Sequence, residues 1–202
     1  MVSTPGFKWL IALLLVYKTC ERSMMTSTLF LVDHKVSQTV IGTWSSVINV
    51  SSILGSVYGG STACRNTLRP YMAYRSVCIG LQCSLIVLWN SLAQVLPLDW
   101  LVTISFGLVT LTGFCAGVLT TDAFAIIIHV SKLSSSKPAV RSTCYVTLAA
   151  IEGVGKMVFA TLAGCILDVA GLHLTYILFV VLSVLVIGMA QAQPITDFVN
   201  AV

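Results

Sequence analysis

The sequence predicts an all-α membrane protein, a single bundle of six transmembrane helices running through residues 1–202. Three observations carry this. Of the 202 residues, 57% are hydrophobic and only 9% charged, against roughly 25% charged in an ordinary soluble domain. The mean hydropathy is +0.96. Stretches apolar enough for a spanning helix, which needs about 20 residues, recur at 7–32, 37–64, 75–95, 100–131, 142–167 and 172–191.

The first span opens on GFKWLIALLL and runs through VYKTCERSMM into TSTLFLV. It has no small-residue cleavage site and continues past its charges, so it is expected to stay as a span rather than be removed as a signal peptide. Asp33, His34 and Lys35 link it to the second, which is rich in Gly and Ser and holds a literal GxxxG at Gly55–Gly59. Small residues let helix backbones approach in lipid, though glycine is also tolerated in a bilayer without any packing role. Asn49-Val50-Ser51 matches a glycosylation sequon but lies mid-span, so it reads as packing. The segment 65–75, broken by Pro70, leads to a third span that reads as cleanly apolar, as does the sixth. Pro97, Leu98 and Asp99 form a tight turn before Trp100, an expected interfacial anchor. The polar stretch 131–141 is the natural midpoint, and the fifth span beyond it carries Gly153, Gly155 and Gly164.

Lys8, Arg65, Arg69, Arg75, Lys132, Lys137 and Arg141 fall on one side of this topology and only Lys35 on the other. The bias places both termini in the cytoplasm. The seven cysteines form no CxxC pair and no metal-ligand spacing. They read as small core- or lipid-facing residues.

Six ionisable residues then lie inside the membrane: Lys18, Glu21 and Arg22 in the first span, Asp122 in the fourth, and Glu152 and Lys156 in the fifth. A charge near a helix centre costs about 2.5–3.5 kcal/mol on insertion scales, so such residues face a bundle interior or a wet cavity. Lys18, Glu21 and Arg22 share one helix face at i, i+3 and i+4, and Glu152 and Lys156 share another at i and i+4. One reading is a polar cavity between the first, fourth and fifth helices, with these five residues contacting solute and Glu21, Glu152 or Asp122 carrying a coupling proton. The other is a set of ion pairs that lock the bundle, Glu152 with Lys156 above all. No GxSG, HExxH, Walker A or GxGxxG string occurs, so no enzyme, cofactor, metal or nucleic-acid partner is expected.

The stretch LLLVYKTCERSMMTSTLFLVD, with Tyr17 and Lys18 followed by Glu21, resembles the seventh helix of major facilitator carriers in the branch of AmpG-type permeases and the acetyl-CoA transporter. The fifth span is similar to that branch's eleventh helix at Leu148, Glu152, Gly155-Lys156, Leu162-Ala163-Gly164 and Asp168. Gly60, Arg65 and Arg69 fit the superfamily's cytoplasmic loop motif GxxxDRxGRR, whereas Cys64 and Thr67 replace its Asp and second Gly. The resemblance implies one half of a twelve-helix major facilitator fold, helices seven to twelve, built from inverted three-helix repeats. It implies a small polar or anionic solute as cargo and a missing partner half: six more helices in a longer chain, or a second copy by self-association. A truncated half with a structural or regulatory role is the alternative.

Overall fold

A computed structural model describes residues 5–18, 32, 35–62, 68–92, 94–134 and 138–191. The described residues hold five α-helices and no strand: α1 Pro5–Val16, α2 Gln38–Thr62, α3 Leu68–Val87, α4 Leu98–Ser134 and α5 Pro138–Gln191. Prolines open α1 and α5, where the missing N–H would have no intrahelical partner. Ser37 caps α2 by accepting a hydrogen bond from the Val40 N–H. Pro70 sits in the first turn of α3 rather than marking a break before it. A π-turn at Leu88–Leu92 extends α3. Asp99 in the first turn of α4 and Lys132 in its last complement the helix dipole.

α2, α3 with its π-turn, α4 and α5 are long and apolar enough to cross a membrane. They cover the predicted spans from the second to the sixth. The apolar helix Phe7–Val16 is the described part of the first span. The fifth and sixth spans are two arms of α5, 138–170 and 172–191. Gly171 parts them with non-helical φ 75 and ψ 175, a positive φ that favours glycine. Leu148 of one arm and Val186 and Ala190 of the other lie in the same core cluster. In a straight helix Leu148 and Val186 would stand about 57 Å apart, so the chain doubles back at Gly171. The Thr175 hydroxyl donates to the Gly171 carbonyl at 2.8 Å and closes the reversal.

Two clusters form the core. One joins α1, the first half of α3, the second half of α4 and both arms of α5, around Leu10, Leu14, Cys78, Leu119, Leu148 and Val186. The other lies at the opposite end, around Trp44, Leu85, Trp89, Leu101 and Tyr176. There the Trp89 indole donates to Ser105 Oγ at 2.9 Å and stacks edge-on against Tyr176.

The tightest crossing is α2 on α4. A Cβ on Gly55 would overlap the Phe114 carbonyl, and one on Gly117 would overlap the Ser52 carbonyl. Ser51 donates to the Thr110 carbonyl at 2.8 Å, and Thr121 to the Ser56 carbonyl at 3.1 Å. The GxxxG pair is therefore a packing device, and so is Ser51 of the apparent sequon. α1 meets α5 in the same manner, with the backbone of Leu15 against Gly155.

The third and sixth spans are not cleanly apolar. Tyr71, Arg75, Cys78, Gln82, Leu85 and Trp89 repeat at alternating steps of four and three along α3, and all are buried. Thr175 and Ser183 are fully buried on the second arm of α5. Arg75, counted from sequence among loop cations, is 0% exposed inside α3. Its position on that seam turns it inward.

Gly55→Val and Gly117→Val should each destabilise the detergent-solubilised protein by about 2 kcal/mol or more, as overpacking does. Gly80→Ala, where a Cβ meets nothing within 4 Å, should leave the thermal midpoint in size-exclusion assays nearly unchanged.

Candidate functional site

The described polar centre forms where the end of α1 meets α3 and α5. Lys18 Nζ lies 3.1 Å from Glu152 Oε1. The Tyr17 hydroxyl donates to the same oxygen at 3.0 Å. Arg75 Nη1 donates to the Tyr17 carbonyl at 2.6 Å. Lys18 and Glu152 are 7% and 8% exposed, and Tyr17 and Arg75 still less. The Lys18 ammonium also stands 5.8 Å from the Tyr17 ring centroid, within cation–π range.

Local structure explains each placement. Tyr17 and Lys18 follow Val16, the last residue of α1, where backbone carbonyls have no intrahelical donor. Arg75 supplies a charged donor to the Tyr17 carbonyl, and a cation there also complements the helix dipole. Glu152 lies one turn before Gly155, whose missing side chain lets α1 approach closely enough for Lys18 to reach the carboxylate. Lys18 and Glu152 stand 13 and 14 residues after the starts of α1 and α5, about 20 Å along a helix. In a helix that crosses a bilayer from its start, a residue at that depth would lie inside a hydrocarbon core about 30 Å thick.

The structure brings together Lys18 and Glu152 from the sequence-predicted set. Lys156 lies one turn beyond Glu152 on the same helix and is exposed. Asp122 is half-buried on α4 near Tyr74 of α3. Its Oδ2 is enclosed without a hydrogen-bond partner among the described residues. Among the described residues no hydrogen bond or ion pair joins it to the Lys18–Glu152 pair, whose described neighbours come from the end of α1, α3 and α5. Glu21, Arg22 and Arg65 lie outside the described residues. Arg69 is placed in the first turn of α3 and Gly60 is exposed near the end of α2.

Sequence reasoning missed Arg75 and the role of Tyr17. The spacing that would have found Arg75 is the buried run at 71, 75, 78, 82, 85 and 89. Tyr17 had no such signal, because its partner is 135 residues away. No protein-family model and no solved structure matches this chain.

Chemically, the arrangement is a buried carboxylate sharing one oxygen between an ammonium and a phenol, next to a guanidinium. Removing one charge of a buried pair typically costs about 3–5 kcal/mol, because the other charge is left uncompensated. Lys18→Met and Glu152→Leu should each lower the folded fraction in a thermal melt, and the double change should recover most of the loss.

Proposed function

We propose that this chain is half of a secondary carrier of the major facilitator type, moving a polar or anionic metabolite by alternating access. The observation that carries the reading is the buried Lys18–Glu152 ion pair. Ionisable side chains at that depth in an apolar bundle are costly, and they mark solute or proton pathways more often than they mark anything else. Lys18 would attract the anion. Glu152 would compete for Lys18 when ionised and release it when protonated. Both termini are cytoplasmic in this reading, and acetyl-CoA, or a metabolite of similar charge, is the substrate class that the resemblance suggests.

Helix pairing supports the repeat. The glycine-mediated crossings join the second helix to the fourth and the first to the fifth. Exchanging two three-helix repeats turns one of these pairs into the other, as an inverted repeat requires. The partner half would be six further helices, in a longer chain or in a second copy.

The ion pair also favours a second reading. Glu152 receives two donors at one oxygen, which suits a permanent lock in a non-transporting half.

Uptake separates the two. Reconstituted with its partner half, or as the self-associated chain, Lys18→Gln should cut uptake of a radiolabelled acetyl-CoA-like anion at least about tenfold, the equivalent of one charge-assisted contact. Membrane expression should change far less. Glu152→Gln should abolish the dependence of uptake on external pH while leaving anion exchange measurable. Equal loss of expression and uptake in both variants would establish the lock instead.

A further inference from the structure

We propose that the junction of α2, α3 and α4 holds a second binding site, which takes a protonated primary amine on the Asp122 carboxylate with the hydroxyls of Tyr58 and Tyr74 as neutral partners. The site is separate from the Lys18–Glu152 pair and does not depend on the carrier reading.

Packing brings these residues together. Cys115 and Asp122 are seven residues apart on α4, two turns, and so share one face. Tyr74 of α3 lies against that face, close enough to both for them to act electrostatically on its hydroxyl. Tyr58 of α2 shares a hydrogen bond with Tyr74 and sets its ring 5.8 Å from that of Phe114. Gly59 allows α2 this close. A Cβ there would stand 3.1 Å from the Val118 Cα and 3.2 Å from the Thr121 Cβ.

The ligand chemistry follows from what Asp122 lacks. Its Oδ2 is enclosed and accepts no hydrogen bond among the described residues. Its neighbours are committed elsewhere or carry no charge. Thr121 turns its hydroxyl to the Ser56 and Gly117 carbonyls. The Cys115 thiol is hydrogen-bonded with Cys78. His129, the next step of seven on the same face, leaves its own Nε2 enclosed and without a partner. Lys18 is held by Glu152. A carboxylate oxygen removed from water needs a donor and an opposite charge. A primary ammonium supplies both, one N–H for Oδ2 and others for the phenol oxygens. A quaternary ammonium brings the charge without the donor, and a sugar the donors without the charge. The site has an entrance, since Tyr58 is 46% exposed and Tyr74 and Asp122 are half-buried. A free amine and the head group of phosphatidylethanolamine present this same group.

The test titrates the full chain, in nanodiscs of phosphatidylcholine, with phenethylamine and follows the thermal midpoint. The amine should raise the midpoint saturably, and uncharged phenethyl alcohol should not. Asp122→Asn should weaken the apparent affinity at least about tenfold, as loss of a charge-assisted hydrogen bond does. Its ligand-free midpoint should hold or rise, because no protein partner is lost. Tyr74→Phe, which keeps the ring, should weaken affinity about threefold, the loss of a neutral hydrogen bond. Repeating the titration with phosphatidylethanolamine in the nanodiscs separates the two sources. A shift that disappears makes the lipid head group the occupant, one that persists makes it a free amine, and either supports the site. No shift in phosphatidylcholine would overturn the proposal, as would equal shifts from amine and alcohol or from the unaltered chain and Asp122→Asn. So would a lowered ligand-free midpoint in Asp122→Asn, which would mean that the carboxylate is already paired within the protein.

Discussion

A carboxylate held away from water must find its partners inside the protein, and Glu152 finds its described partners just past the end of α1. Its Oε1 takes both the Lys18 ammonium and the Tyr17 hydroxyl. The carbonyl of that same Tyr17 is taken by Arg75. Two buried charges on α3 and α5 thus hold the end of a helix only 12 residues long. Without them α1 would keep its apolar contacts around Leu10 and Leu14 but lose what fixes its end.

The remaining architecture depends on close approach of backbones. In lipid, apolar side chains gain little by leaving one hydrocarbon surface for another, so helices associate through packing and interhelical hydrogen bonds. α2 shows the consequence. Trp44, Gly55 and Gly59 are its buried residues, while Val50, Ile53, Leu54 and Val57 point outward. It is held by a narrow line of glycine and serine against α4, not by an apolar stripe. The large outward hydrophobics are what a helix facing acyl chains should carry.

Much of this was legible beforehand. Apolar length marked out α2 and α4 to within a few residues, because the bilayer demands that length whatever the packing, whereas α3 starts at Leu68, seven residues before the expected 75. The reversal near 167–172 was legible as a gap between spans, though the single residue that makes it, Gly171, was not singled out. The polar centre was only half legible. Lys18 and Glu152 were conspicuous as charges in apolar runs. Arg75 was not, because it stands at the edge of a span beside Pro70 and reads as a loop cation when charges are counted by segment. The expected pairing followed spacing along one helix, from Glu152 to Lys156. The carboxylate instead reaches across a helix interface to Lys18, a partner that depends on Gly155 and on tertiary approach, which spacing does not encode. Asp122 stood out for the same reason as Lys18, and packing places it near Tyr74.

The turn at Gly171 bears on how the chain enters a bilayer. A single residue separates two arms that are each long enough to span, leaving no hydrophilic loop to be threaded across first. The translocation machinery would meet residues 138–191 as one hydrophobic hairpin, inserted or rejected whole. Their orientation is then decided once, by the charges that flank the hairpin, so neither arm can invert alone. A residue whose backbone conformation looks like a detail of folding thereby makes the last two crossings a single unit of biogenesis.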